Sequence, residues 1–220
     1  MSRTGKGYKG IGMEGPIARW YTTANGKSRQ RYDQQVEAVR QRAGKGSSIL
    51  EVAPGPGYLS IALARSGDYT VTGLDVSETF VQIARAKAAE AGADVDFRLG
   101  NASSMPFEEE SFDFIVCCAA FKNFSDPVGA LREMHRVLRP GGGALIIDLR
   151  RDVSKEAVDE DVARMGMGRL SKMLTRFTLR SLLPRRAYTK DEFEAFIGRT
   201  GFPTHEIRLS PLTLEADLRK

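Results

Sequence analysis

The sequence predicts an α/β domain built on a parallel sheet, and three observations carry that prediction. Short apolar runs closed by Gly/Pro turns alternate with stretches that are apolar at helical spacing. The first such unit, Ile49-Leu50-Glu51-Val52-Ala53-Pro54-Gly55-Pro56-Gly57-Tyr58-Leu59-Ser60, reads as strand, tight loop and helix. With 220 residues, 41% of them hydrophobic, the chain is long enough to bury one sizeable core.

Residues 1–46 are expected to form a flexible segment and a lid helix. Met1 to Gly15 holds five glycines among basic residues, a composition that stays mobile until something orders it. Pro16 to Tyr21 brings the sole tryptophan, Trp20, beside Tyr21. Two readings stand side by side there: the aromatics cap a site, or they pack a helix on the sheet. A helix from Ser28 to Arg42 would place Tyr32, Val36 and Val39 on one side.

The main domain is expected over residues 47–220. After the Ile49 strand come a crossover helix from Tyr58 to Arg65, a strand from Tyr69 to Asp75, and an Ala-rich helix from Glu78 to Ala91 closed by Gly92. A third strand runs from Asp94 to Leu99 and a fourth from Phe112 to Cys118. Pro127 to Leu138 reads as a helix stopped by Pro140 and Gly141, followed by a fifth strand from Ala144 to Leu149. Alternation of this kind implies right-handed crossovers.

Beyond Arg150 the pattern changes to a helical insertion at about 151–187. From Val162 to Arg186 there is no acid, and Leu170, Met173, Leu174 and Phe177 recur at helical spacing against Arg169, Lys172, Arg176 and Arg180. This basic amphipathic helix, within 164–186, suits a cap with a solvated basic face; contact with a membrane surface is the other use. Thr189 to Glu192 has capping-box spacing and starts a helix through Ile197. Pro203 to Leu209 and Leu212 to Leu218 then alternate as a closing antiparallel hairpin would.

A formal net charge of +5 favours anionic partners without choosing among them. The chain has no run of about twenty apolar residues, and its start lacks an apolar signal region, so a cytoplasmic location is expected. Cys117 and Cys118 are adjacent in an apolar strand, which suits neither a disulfide nor a metal site. No metal is expected.

The chemistry gathers at the first loop. Gly55 and Gly57 let backbone approach a ligand, and Glu51 is a carboxylate that needs hydrogen-bond donors if buried. Asp75, at the end of the next strand, can accept ribose hydroxyls. Ser60 stands where a nicotinamide fingerprint would have its third small residue, which argues against that cofactor.

Together, Glu51-x-x-x-Gly55-x-Gly57, the Asp75 strand end, Gly100-Asn101-Ala102 with Met105-Pro106-Phe107, Phe112-Asp113, and Arg136-Val137-Leu138-Arg139-Pro140-Gly141-Gly142 resemble a class I S-adenosylmethionine (SAM)-dependent methyltransferase. The resemblance covers residues 47–150 closely and 188–220 loosely. It implies a Rossmann-like, seven-stranded, mainly parallel sheet with helices on both faces and one reversed strand. It also implies SAM as cofactor and S-adenosylhomocysteine (SAH) as product. The cofactor-binding residues would be Glu51, Ala53, Gly55, Gly57, Asp75, Val76, Asn101, Ala102 and Cys118. Asn101 would offer its amide oxygen and Ala102 its N–H to adenine, with Val76, Met105 and Phe107 around the ring. Ala53 replaces a common motif glycine, which is tolerable if its φ is negative.

Methyl transfer from a sulfonium is an in-line displacement in which positioning and desolvation do most of the work. No catalytic base is evident. His135 and His205 read as structural or solvated, while Lys122, Asn123 and Tyr21 are the candidates for orienting the acceptor. Against this, Phe121 and Phe124 could simply pack, leaving Lys122 solvated. The chain lacks an Asn/Asp-Pro-Pro-Tyr tetrapeptide and a spread of cysteines, which argues against amine methylation of the kind that uses the former and against arsenic methylation. The expected function is methylation of a small, apolar or amphiphilic molecule. RNA or protein methylation using the basic insertion, and an idle SAM-binding regulator, are the alternatives; a nucleic-acid partner is not expected.

Overall fold

The computed structural model describes residues 7–9, 12–25, 29–164, 168, 172, 173, 175, 176 and 186–220. Seven strands form one sheet: β1 Ser48–Val52, β2 Thr70–Asp75, β3 Val95–Leu99, β4 Phe112–Cys118, β5 Leu138–Leu149, β6 Thr204–Leu209 and β7 Thr213–Arg219. Their order across the sheet is β3-β2-β1-β4-β5-β7-β6. Neighbours among β1 to β5 are parallel, and β7 runs antiparallel to both β5 and β6. The helices are α1 Gly15–Asn25, α2 Arg29–Arg40, α3 Tyr58–Arg65, α4 Glu78–Ala91, α5 Pro127–Val137, α6 Lys155–Arg164 and α7 Lys190–Ile197.

The central strands read as apolar runs because helices cover both faces. Successive residues of β1 go to opposite sides. Leu50 and Val52 pack with Leu131 and Met134 of α5 and Phe193 of α7. Ile49 packs with Val36 and Val39 of α2 and with Leu59 and Leu63 of α3. Helix α2 is therefore built into the core, and Arg42 just beyond it pairs with Glu215 at 2.5 Å and Asp217 at 2.6 Å on β7.

Caps set the helix boundaries. Ser77 accepts from the Phe80 N–H at the start of α4, and Gly92 closes that helix with φ 61°. Asp126 caps α5 ahead of Pro127. Thr189 and Glu192 form the reciprocal capping box that their spacing predicts.

Two elements differ from the sequence reading. Pro16 to Tyr21 lies inside a helix, α1, in which the Thr22 and Thr23 hydroxyls donate back to the carbonyls of Ala18 and Arg19. Those bonds satisfy residues whose side chains otherwise favour turns. The Pro140-Gly141-Gly142 segment is a bulge inside β5, not a loop before it. Phe112 pairs with Leu138 but Phe114 pairs with Gly143, and Gly141 takes φ 79°.

In the insertion, α6 is followed by the basic amphipathic stretch. Most of it, including Arg169, Leu170, Leu174, Phe177, Arg180 and Arg185, lies outside the described residues. Among the described residues, no helix is long and apolar enough to cross a membrane.

Candidate active site

β1 and β4 are neighbours, yet the chain leaves β1 toward β2 and β4 toward β5. The crevice outside the carboxyl ends of such a pair is where an open α/β sheet holds its ligand. A cavity of about 950 Å³ opens there, walled by the ends of β1, β2, β4 and β5 and by Tyr8, Met13 and Tyr21 from the N-terminal segment. A second groove, of about 480 Å³, runs beside Arg42, Arg208 and Asp217. Its charges neutralise one another in ion pairs, which leaves little for a ligand.

The loop after β1 holds three residues at positive φ: Ala53 at 59°, Gly55 at 54° and Gly57 at 81°. The Ala53 angle is positive, so the condition under which its methyl is tolerable without strain is not met. An L-residue in this region costs roughly 1–2 kcal/mol, so the loop carries backbone strain where it lines the cavity. The two glycines have different reasons. Gly55 faces open space and lines the cavity. Gly57 does not line it; a Cβ there would come within 2.7 Å of the Phe97 ring and 2.9 Å of Ala84. Gly57 serves packing between the loop, α4 and β3.

Two acids are buried under this loop. Asp75 accepts from the Gly55 N–H and the Ser77 N–H, each at 2.9 Å on a different carboxylate oxygen. Burial pushes its carboxyl up to about 6 despite those bonds. Glu51 accepts from the Ser60 hydroxyl, and burial pushes it to about 7, with Asp75 adding like-charge repulsion. Neutral donors hold both acids. The buried Ser60 thus has a definite task, supporting Glu51 of β1 from the first turn of α3.

Val76, Ala102 and Cys118 line the same cavity, together with Gly100. Three other expected contacts are not brought there. The Asn101 amide oxygen accepts from the N–H and hydroxyl of Ser103, both at 3.0 Å, closing its own turn instead of facing the cavity. Met105 is buried in the core with Leu131 and Met134. Phe107 stands edge-on to Phe112 at 5.0 Å under the Arg98 guanidinium.

On the far wall, Phe121 and Phe124 do pack, but Lys122 is buried and not solvated. Its ammonium donates to Asp148 at 2.7 Å and to the Ala119 carbonyl at 2.6 Å, and its N–H donates to the other Asp148 oxygen at 2.8 Å. This pair holds Ala119, itself at φ 57°, and the turn after β4 against β5. Asn123 lines the cavity and its carbonyl accepts from the Lys9 N–H at 2.7 Å. Tyr21 lines it with its ring edge-on to Phe80 at 5.8 Å. His135 lies elsewhere, against Gly201 and Phe202.

Sequence reasoning missed Tyr8, Asp148 and Arg186, which line the same cavity. Arg186 hydrogen-bonds the Tyr8 hydroxyl, whose pKa burial raises. Nothing in the glycine-rich start marked Tyr8. Asp148 did carry a signal, an acid inside the apolar Ala144–Leu149 run. Among the described residues no cluster could hold a metal ion.

Known proteins point the same way as this geometry. Residues 50–146 match the family model described as a methyltransferase domain. Demethylmenaquinone methyltransferase of Listeria monocytogenes is 39% identical over 110 residues, which is 49% of this chain and 46% of that protein. Its namesake in Chlorobaculum parvum is 36% identical over 129 residues, 59% of this chain and 48% of that one. The chain spans about half the length of the curated relatives it matches. A SAM-dependent methyltransferase from Aquifex aeolicus superposes with a TM-score of 0.70 at 18% identity, over 92% of this chain and 97% of its own. A Methanococcus maripaludis protein ascribed the same activity gives 0.77 at 22%, over 96% and 95%. These two likenesses speak for the fold, the seven-stranded sheet with one reversed strand. With the family match added, residues 50–146 carry a methyltransferase domain.

Proposed function

We propose that this chain methylates a small apolar or amphiphilic acceptor, with Asp75 and the loop after β1 holding SAM. The observation that carries the reading is Asp75, a buried carboxylate at the end of β2, beside the positive-φ loop and on the wall of a cavity near the upper size for a small-molecule site. Each of its oxygens takes one backbone N–H and keeps a second lone pair for a ribose hydroxyl. Gly55 lets the backbone pass the methionine part, Val76 lies against adenine, and the Ala102 N–H serves a ring nitrogen. Glu51 supports the α-ammonium end through water. Asn101 acts indirectly, fixing the Gly100–Ala102 backbone through Ser103.

When bound, SAM supplies a methyl on a sulfonium that leaves as a neutral thioether without needing a proton. The chain's own part is to orient and to exclude water. Tyr8 and Tyr21 cover the cavity from the N-terminal side. The Lys122–Asp148 pair keeps the Ala119–Phe124 turn, and with it Asn123, in place on the acceptor side. The apolar lining from Ile17, Phe124, Ile147 and Leu149 supports an acceptor with little charge, and so do relatives named for demethylmenaquinone methylation.

Calorimetric titration with SAM, SAH and NADH tests the donor. Micromolar binding of the first two and none of NADH is expected. Binding of NADH alone, or of none of the three, would overturn the assignment.

A further inference from the structure

The hairpin that closes the sheet leaves one strand with an open edge. β6 stands last in the strand order, so among the described residues it pairs with β7 alone, and it is exposed along its whole length except at the half-buried Ile207. The Ser210 N–H donates to the Thr213 carbonyl at 2.9 Å, whereas the Lys220 N–H at the other end of β7 donates away from β6, to Gly142 of β5 at 3.0 Å. Bonding alternates in this way along an antiparallel ladder. Thr204, Glu206 and Arg208 therefore bond to β7, and the N–H and carbonyl groups of His205, Ile207 and Leu209 point out of the sheet. Pro203, before the strand, and Pro211, in the turn after it, bring no N–H and so bound the open edge at both ends.

Side chains alternate too. Glu206 and Arg208 lie on the side of Arg42, to which Asp217 joins them, and Ile207 packs against the core on the other. Charges on an edge strand ordinarily repel a second strand, but the two on β6 are of opposite sign. We infer that β6 pairs antiparallel with β6 of a second copy of this chain, about a two-fold axis through Ile207. A ladder forms only where outward groups meet outward groups. The register centred on Ile207 meets that condition, with His205 opposite Leu209 of the second copy. It also sets Glu206 opposite Arg208 of the second copy on both sides of the axis, at positions where facing side chains come closest. A slip of two residues either way sets Glu206 against Glu206 or Arg208 against Arg208 instead. The strand is thus self-complementary in one register, as a two-fold contact requires. Glu206 has room to turn: its side chain is 62% exposed, and its own Arg208 also holds Glu215 at 3.0 Å and Asp217 at 3.2 Å. Leu209, exposed in the single chain, gains cover on the other face.

None of the residues Thr204–Leu209 lines the cavity after β1, so the pairing stands or falls independently of the proposed methylation. One strand edge buries little area, which places the dimer in the weak, concentration-dependent class. Sedimentation velocity of the full chain should show monomer at low micromolar concentration and a reversible dimer at hundreds of micromolar. Glu206→Arg sets like charges opposite each other in both pairs and should raise the dissociation constant roughly tenfold or more. Ile207→Pro removes the central outward N–H but no bond to β7, and should leave a monomer. Mixing Glu206→Arg chains with Arg208→Glu chains should restore the dimer as a one-to-one heterodimer, because every like-charge contact then becomes an ion pair. Circular dichroism checks that each variant folds; if Arg208→Glu does not, Glu206→Arg and Ile207→Pro still decide the matter. A monomer at every concentration, or a dimer that Glu206→Arg and Ile207→Pro leave unchanged, would overturn the inference.

Discussion

Glu51 sits on the strand at the centre of the sheet, paired with Gly73 on one side and Val116 on the other, and is almost wholly buried. Burial raises its carboxyl from the ordinary 4.5 to about 7, so the folded protein holds this proton more tightly than the unfolded chain does. The sign follows from linkage. The contribution of Glu51 to stability is complete below about pH 4.5 and is lost as pH rises through about 7. At 1.36 kcal/mol per pH unit, the rise is worth about 3 kcal/mol. Glu51→Gln removes the charge and keeps an oxygen to accept from the Ser60 hydroxyl, although its amide N–H groups then need partners. We predict that in urea denaturation near pH 8, without SAM, the variant is more stable than the parent by about 1–3 kcal/mol, the amide lowering the full gain. Near pH 5 the advantage should largely disappear. Asp75 titrates in both proteins, so most of its own pH dependence cancels in the difference. An advantage of equal size at both pH values, or a parent that is the more stable at pH 8, would refute the reasoning. Measured by calorimetry at pH 8, the same variant should bind SAM more weakly, as its carboxylate is proposed to face the ammonium.

Other positions allow equally direct tests. Ala53→Gly relieves a φ of 59°; after the entropy that glycine adds to the unfolded chain, a gain of up to about 1 kcal/mol in urea denaturation is expected, with SAM binding equal or tighter, and a marked loss of either would show that the loop needs the methyl. Asp75→Ala should weaken SAM binding by about 1–3 kcal/mol in calorimetry through the lost hydrogen bonds; unchanged affinity would remove Asp75 from the ribose site. Lys122→Met leaves Asp148 buried without its cation and should cost about 3–5 kcal/mol in denaturation. Adding Asp148→Asn should recover much of that loss, and a double variant no better than the single would mean that the pair is not the source of the cost.

The alternation of strands and helices was legible because a parallel sheet covered on both faces writes its strands as apolar runs, and because Gly92, Pro127 and the Thr189–Glu192 box carry local signals that tertiary packing did not override. Residue type does not tell which of two local demands a side chain meets. A glycine reads the same whether it admits a ligand, as at Gly55, or a neighbouring ring, as at Gly57. An apolar residue reads the same whether it faces a cavity or the core, and Met105 and Phe107 pack on the core instead of the cavity. Asn101 was expected to serve a ligand, but its own turn offered a nearer donor. The Tyr8–Arg186 contact joins residues far apart in the chain, and no local pattern anticipates such a meeting.

Two acids inside apolar strands, Glu51 and Asp148, carried the same signal, and the structure resolves them in opposite ways. Asp148 is neutralised by Lys122 from the adjacent strand's end, so the β4/β5 side of the cavity presents a compensated pair. Glu51 and Asp75, on the β1/β2 side, are held by a hydroxyl and backbone N–H groups, with no cation among their bonds. A cavity that leaves two acids uncompensated at one end and none at the other is polarised before any ligand arrives. A ligand of net positive charge, such as one carrying a sulfonium and an ammonium with a single carboxylate, lowers the cost of ionising Glu51 and Asp75. An uncharged acceptor incurs no such mismatch beside Lys122 and Asp148. On the proposed function, this charge layout would order the two substrates along the cavity through acids in the strands themselves, where the sheet fixes their positions.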